Sequence, residues 1–597
     1  MKTIKYFSLV VIAICTSILT ACTDGNDWGT DDAYNRVMAP RISSVTGDEG
    51  SLIVSFNTYG GNKYILEANE NPFPTDDLYG DVMEGSITAE VTGSPGTITN
   101  LNGYTDYYVR VRALSDEKKP SQWILFASSS IEEGAMIISQ KATTTKGLQI
   151  LLDVTDEDRQ PNSITVHWIE GYNPTKITAT FKNGEEKNVT EYELSAEDIA
   201  ARTFTCTNLN ASTPYEIRIY EGNNCIGMVE TKTMKAPPVA DYTETLTGEV
   251  LNQSIMNEIA LKAKANAGDK DTYAATIIIP AGKTVTIAEG TKEVSVPAGM
   301  TLYLYGTDSS DGTKGTLQFN YKLEIGGYHG DISFENLNLT APTSGSNTYI
   351  INQSNAASIG NITFTSCNIS NINCAVIRTQ GSNDISIGSV VIDDCIVTDQ
   401  GTMNQSYGYV ITNGGSKASI SDIEIKNSTF DHCTVGIISN NTKTENKIAN
   451  ITVTDCTFYN CIGSGRYIAD AGKNAAGTVN ETNMTFKNVI VGKLFHSSAK
   501  GYQTKGNLIV DHFYQTSGTK FNGGSFKSND DGMKLDWRTG QFTDAQLFED
   551  PTNHNFNLKH WFEQTSADES KGIQFDIYGD PRWKQDNGDS EDDGNEE

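Results

Sequence analysis

The chain has 597 residues, and its 75 Asp and Glu outweigh 45 Lys and Arg to give a formal net charge of −30. A field of that sign disfavours nucleic acid and anionic headgroups as partners, while a local patch of opposite charge can still receive an acidic ligand. Beyond the first 22 residues no segment is long and apolar enough to cross a bilayer.

The N-terminus is read before any fold. Lys2 and Lys5 open it, Phe7 to Ile14 is apolar, and Leu19-Thr20-Ala21-Cys22 follows, which is the order of a secretory signal. The last four residues resemble the lipobox of bacterial lipoproteins. Residues 1–21 are therefore expected to be a signal peptide, with Cys22 lipidated so that the membrane is met through the lipid anchor only. Residues 22–37 form an acidic tether, and Thr23-Asp24-Gly25-Asn26-Asp27 with Asp31-Asp32 resembles the export signal of Bacteroidetes surface lipoproteins. That resemblance implies the outer membrane, facing the cell exterior.

Two similar stretches come next. Leu101, Thr105 and Tyr107 precede the alternating run Tyr108-Val109-Arg110-Val111, and Leu209, Thr213 and Tyr215 precede Glu216-Ile217-Arg218-Ile219 at the same offsets. Upstream lie Leu52-Ile53-Val54-Ser55-Phe56 in one and Ile164-Thr165-Val166-His167-Trp168 in the other. The pattern resembles the E-to-F corner of fibronectin type III sandwiches and implies two antiparallel modules, residues 38–132 and 138–235. We read them as spacers, with Trp168 in the second core, Trp123 ending a strand of the first and His167 exposed. Cys206 and Cys225 are candidates to pair in an oxidising compartment. Lys235-Ala236-Pro237-Pro238-Val239 forms a stiff exit.

The region 240–562 is dominated by one repeated phrase: ISFENLNLT from Ile332, ITFTSCNIS from Ile362, VVIDDCIVT from Val390, IEIKNSTFD from Ile423, ITVTDCTFY from Ile451 and MTFKNVIVG from Met484. Such a period marks units that bury their apolar faces only by stacking on one another. Positions 1, 3, 6 and 8 are mostly apolar, so the alternation of a strand is broken by one odd step. That step is a corner, and position 5 holds residues that tolerate left-handed backbone: Asn336, Ser366, Asp394, Asn427, Asp455 and Asn488. A second short strand follows each phrase, at Tyr349-Ile350-Ile351, Ala375-Val376-Ile377, Tyr409-Val410-Ile411, Gly436-Ile437-Ile438, Tyr467-Ile468-Ala469 and, less regularly, Lys493-Leu494-Phe495. The region resembles the pectate-lyase-like superfamily, which implies a right-handed parallel β-helix. The fold class is thus all-β, two sandwiches followed by that helix. Cys367, Cys395 and Cys456 fall at position 6, and Cys374, Cys433 and Cys461 a few residues later, where small side chains pack in a core.

The superfamily commonly acts on polysaccharides. A lyase needs a strong base and a cation, often calcium, and a hydrolase needs carboxylates facing one bond. Neither set assembles from the sequence. Asp394 belongs to the corner column, Asp393 to a mixed outward column, and Gly327-Tyr328-His329-Gly330-Asp331 resembles only faintly the Gly-His-Gly of polygalacturonase-like hydrolases. A different column is the candidate ligand-binding site. It follows the second strand as Asn352, Arg378, Thr412, Ser439, Asp470 and His496, beside Tyr349, Tyr409 and Tyr467. Coils stack about 4.8 Å apart, so these residues would line an extended chain.

Phe548-Glu549-Asp550-Pro551, Phe556-Asn557-Leu558 and Gly579-Asp580-Pro581-Arg582-Trp583 resemble the closing segment, here 563–584 and the residues before it, of Bacteroidetes β-helix lipoproteins with fibronectin-like modules, a group tied to glycan utilisation. They are expected to cap the open end of the stack, ahead of a disordered acidic tail at 585–597. The reading is a surface-anchored lipoprotein that binds polysaccharide, pectic chains included, and supports its capture or uptake with outer-membrane uptake components. No cofactor is evident. A lyase or hydrolase on an acidic glycan, with calcium in the lyase case, is one alternative, and an adhesin or structural surface protein is another.

Overall fold

The computed structural model describes residues 35–583 except 49, 60, 76–77, 104, 128–139, 145–148, 184–185, 223, 249, 289–292, 329, 343–346, 441–446, 527–533, 536–539, 541 and 560–578. The signal peptide, Cys22, most of the tether, His329, most of the closing segment 563–584 and the acidic tail lie outside the described residues. The regular structure is almost all strand, in two compact units that divide between Thr233 and Met234.

The first unit holds two sandwiches. In the first, Arg41–Asp48, Ser51–Asn57 and Gly96–Ile98 face a sheet of Ile87–Val91, Lys63–Asn69 and Asp106–Leu114, with Ile124–Leu125 and Lys141–Thr143 at its edge. Alternation sends Leu52, Val54 and Phe56 from one sheet and Leu66, Val109 and Val111 from the other into a shared core. Lys141–Thr143 pairs with Asp106, Tyr107 and Tyr108, so this strand belongs with the first sandwich although it falls within 138–235. In the second sandwich, Arg159–Gln160, Ser163–His167 and Thr203–Thr207 face Lys176–Asn183, Glu186–Glu193, Pro214–Glu221 and Asn224–Lys232.

Both tyrosine corners are formed. The Tyr107 hydroxyl accepts the Asn102 amide at 3.0 Å and the Tyr215 hydroxyl the Asn210 amide at 2.9 Å, which ties each crossover to its strand. Trp168 is buried in the second core. His167 is half-exposed and meets Asp158 at 2.9 Å. Cys206 and Cys225 are unpaired, because Cys206 points into that core from one sheet while Cys225 lies on the other sheet outside it.

In the second unit every strand pairing of the coils is parallel. The phrases stack as their spacing predicts: Ile332, Ile362, Val390, Ile423, Ile451 and Met484 are successive partners. The column continues beyond them, to Leu302 before and Leu508 after. All six corner residues are left-handed, with φ between 48° and 57°, and His512 makes a seventh at 50°. Inward residues form ladders along the axis. Phe334 stacks on Phe364 at 4.7 Å and Phe430 on Phe458 at 5.0 Å. Cys367, Cys395, Cys433, Cys456 and Cys461 are buried in the same core, Cys374 packs separately with Tyr349 and Ala375, and all six thiols are free.

A second, eight-stranded sheet runs along the stack: Val294–Val296, Leu323–Ile325, Ile351–Gln353, Ile377–Thr379, Ile411–Asn413, Ile438–Asn440, Tyr467–Asp470 and Lys500–Gln503. We call it the short sheet. Its last strand is not Lys493-Leu494-Phe495, of which only Leu494 forms an isolated bridge, to Cys461.

The ends are closed differently from the sequence expectation. At the first end lies the helix Gln253–Ala267, whose Met256, Ile259, Ala260 and Ala263 are buried against the coils. Phe521 and Phe526 plug the other end, Phe526 stacking on Phe513 at 4.0 Å. The described parts of the closing segment, 548–559 and 579–583, lie along the flank. Tyr459, Ile490 and Tyr514 point outward from their strands and need cover, which Phe548, Phe556 and Leu558 provide. Gly579–Trp583 then crosses several coils: Arg582 donates to Asp394 at 2.8 Å and the Trp583 indole to the Thr429 hydroxyl at 2.6 Å.

Phe526→Ala is expected to lower the stability of the second unit by about 3–5 kcal/mol, as for other buried Phe truncations. Chemical denaturation followed by circular dichroism measures it, and the transition of the first unit should not move.

Candidate ligand-binding face

The outward column of the short sheet runs Glu324, Asn352, Arg378, Thr412, Ser439, Asp470 and Gln503. Asn352 through Asp470 stand in the order that the repeat implies. The sixth place belongs to Gln503, whose amide donates to Asp470 at 2.7 Å. His496 is exposed in the loop before that strand and holds Ser498 at 2.9 Å. The 33-residue step from Ile451 to Met484 carries Asp470 onto Gln503, so the phrase itself contained this correction.

The neighbouring column runs Tyr349, Ala375, Tyr409, Gly436, Tyr467 and Lys500, large and small in alternation up to Tyr467. The small residues make room for the rings. A Cβ on Gly436 would sit 2.3 Å from the Tyr409 ring, so that ring fills the space glycine leaves. Tyr409 is 2% exposed and Tyr349 6%, and burial pushes both hydroxyls well above the ordinary phenol range. Their faces are therefore not open platforms for a sugar, contrary to the sequence expectation. Tyr467 is half-buried and remains within reach.

Two polar groups stand on this face. In the first, the Arg378 guanidinium lies 3.9 Å from the centre of the Tyr407 ring and 5.8 Å from that of Tyr349, and donates to the Tyr349 hydroxyl at 3.2 Å. Its Nε and the Asn352 Oδ1 are buried without a partner among the described residues. Buried polar atoms are seldom left so, because each costs about 1–3 kcal/mol. Lys322 and Glu324 stand one coil before Asn352, 3.3 Å apart. Burial alone would raise the Glu324 carboxyl, but the Ser354 hydroxyl and amide, Lys322 and the Asn355 amide hold it below the usual range.

In the second group Asp470 accepts from the Gly472 amide at 2.8 Å and from Gln503. Burial raises its carboxyl, and Lys473 and Lys500 offset only part of that. The Lys500 ammonium sits 5.0 Å from the Tyr467 ring centre and donates to that hydroxyl at 3.2 Å. Arg466 lies near the Tyr409 hydroxyl and offsets a little of the rise that burial causes. The cations of the face are thus backed largely by aromatic groups and not by carboxylates. Phrase-side outward positions read otherwise: Asp331, Glu335, Asp393, Asp422, Glu424 and Asp511 prevail over Lys426 and Lys487. Acids thus outnumber bases on the phrase side, whereas the short sheet carries both signs, Glu324 and Asp470 with Arg378 and Lys500.

Tyr407, Arg466, Lys500 and Gln503 were not found by sequence reasoning, because they sit in or after loops whose lengths differ from coil to coil. Glu324 and Asp470 are five coils apart in the column, about 24 Å at the coil rise, whereas a glycosidase pair stands roughly 5–9.5 Å apart. Asp394 is held by Ser366 at 2.6 Å and by Arg582, and Asp393 by Asn427 at 2.8 Å. That pair is engaged in the frame. Glu324, Asn352, Thr412 and Ser439 of the column are themselves buried, so what the face presents is a few spaced cations and donors, Arg378, Arg466 and Lys500 among them.

No protein-family profile matches the chain, and no curated protein matches it. Among solved structures, the FN1–FN3 domains of chicken CNTN1 align at 13% identity over 33% of this chain and 66% of that one, with a TM-score of 0.12. A two-domain fibronectin type III segment of chicken tenascin aligns at 15% identity over 32% of this chain and 98% of that one, with a TM-score of 0.17. The chain thus spans just under two thirds of the CNTN1 structure. The sandwich assignment rests on the strand order and the two tyrosine corners.

Tyr409→Ala is expected to cost stability, about 3–5 kcal/mol as for other large buried aromatic truncations, measured by urea unfolding of the second unit. Asp470 supplies a pH test. Its carboxyl is raised in the folded state, so the stability it contributes is present below the unfolded value near 3.9 and is lost as pH rises through the folded one. Asp470→Asn should therefore gain relative to the parent between pH 4 and pH 7 in paired urea titrations. An unchanged difference across that range would show that the carboxyl is not raised.

Proposed function

We propose that the protein is a surface-anchored lipoprotein that binds polysaccharide along the short-sheet face of its β-helix, in support of glycan capture or uptake at the outer membrane. Sandwich modules followed by a β-helix suit an extracellular adhesive or glycan-related role. The observation that carries the finer reading is Arg378. It is held between two tyrosines with an Nε that is buried without a partner among the described residues, and no carboxylate is paired with it there, although Lys322 is paired with Glu324 and Lys500 lies near Asp470, in a chain that is strongly acidic. Guanidinium groups pre-organised in this way pair with carboxylates, which favours a chain bearing uronate groups, pectic polymers among them. Lys500 stands four coils on, about 19 Å away at the coil rise, so contact extends over several sugar units. Cys22 supplies the anchor, and uptake components of the same membrane are the partners this role requires.

In affinity gels containing polygalacturonate, the mature chain, residues 23–597, should be retarded. Arg378→Ala should weaken retention about tenfold, Lys500→Ala less, and added salt should weaken it further. Retardation that Arg378→Ala with Lys500→Ala leaves unchanged would remove this face, and release of unsaturated or reducing ends would make the protein a lyase or hydrolase.

A further inference from the structure

We infer that the two sandwiches do more than space the β-helix: the cleft at their joint is a second binding site, built for a short neutral oligosaccharide. The cleft measures about 670 Å³, within the range of small-molecule sites. It lies on the outer face of the second sandwich's four-stranded sheet, and Glu70, Thr105, Asp106 and Lys141 of the first sandwich form one wall.

The floor explains why the space is open. Strand Lys176–Asn183 puts Thr178 and Thr180, two small hydroxyl residues, at successive outward positions, with Arg218 and Tyr220 beside them on the neighbouring strand. Thr178 is only 5% exposed although it faces away from its own core. The joint is pinned within the cleft lining, where Arg218 donates to the Thr105 hydroxyl at 2.9 Å, and outside it, where the Cys225 amide donates to Asn102 at 3.1 Å. A cleft held in this way is preformed, which lowers the entropic cost of filling it.

The ligand class follows from how the charges are arranged. Arg218 is paired with Glu216 at 2.8 Å, Lys176 with Glu191 at 3.7 Å and Lys141 with Asp106 at 3.8 Å, and Lys187 with Glu70 and Glu230 completes a lining in which the two signs nearly balance. Paired charges offer an ion little, but they set donors and acceptors side by side, which suits a sugar hydroxyl that both donates and accepts. Tyr220 adds an aromatic flank. The short-sheet face, where Arg378 and Lys500 lie against aromatic rings, has the opposite preference on the reading proposed above, so the two sites separate by ligand charge.

Calorimetric titration of residues 23–597 with hexasaccharides of β-1,4-glucan, β-1,4-mannan and β-1,4-xylan tests the site. At least one should bind. Thr180→Trp, which fills the floor, and Tyr220→Ala, which removes the flank, should each weaken it at least tenfold, while Arg378→Ala should leave it unchanged. Binding by none of the three, binding by both cleft variants as tightly as the parent, or loss of binding in Arg378→Ala would each overturn the inference. Retention on polygalacturonate reads the β-helix face separately, so the two proposals can fail independently.

Discussion

The left-handed corner at position 5 of each phrase is the constraint on which the β-helix depends. It is a single residue of Asn, Asp, Ser or His, with φ near 50° in the seven coils from Ile332 to Leu508, and it fixes the phase between the two strand limbs. With the phase fixed, residues at one offset stand in a column and each coil presents the same face to the same side. A β-branched residue at that position would be strained. The Phe ladders, the buried thiols and the outward polar columns are all consequences of that one repeated backbone conformation.

The columns then divide the work. Inward positions accept only what packs, which is why cysteine, isoleucine and phenylalanine interchange there. The Tyr349–Lys500 column shows a subtler rule, since large rings lie along the axis only because Ala375 and Gly436 leave room between them. Outward positions carry charge, acids prevailing on the phrase side while the short sheet mixes Glu324 and Asp470 with Arg378 and Lys500. An extended polymer and a columnar protein share a geometry, in that both repeat along one direction at a few ångströms per unit. A chain of net charge −30 that nonetheless gathers Arg378, Arg466, Lys473 and Lys500 on one side has a face suited to an acidic polymer.

Much of this was legible in the sequence, for a physical reason. Inward burial and left-handed backbone both restrict residue type, so the strands, corners, thiol positions and tyrosine corners could be read residue by residue. What lies above an outward residue imposes no such restriction. Tyr409 therefore read as an exposed ring, although the coils after it cover it through Gly436 and Arg466. His496 took the place of Gln503 because the apolar Leu494-Phe495 pair reads as the strand, although the step from Ile451 to Met484 also carries Asp470 onto Gln503. The helix Gln253–Ala267 escaped notice since much of its buried face is alanine. The flank segment read as an end cap because the residues it covers, Tyr459, Ile490 and Tyr514, are unusual in being apolar at outward positions.

Hydrogen–deuterium exchange on residues 23–597, with and without an oligogalacturonate, locates binding without altering a side chain. Protection should appear in peptides spanning Ile377–Thr379, Tyr467–Asp470 and Lys500–Gln503 and in the loop carrying Tyr407, and should be absent from the phrase-side strand around Ile423–Lys426. Protection confined to the phrase side, or to the sandwiches, would contradict the assignment of glycan binding to the short-sheet face.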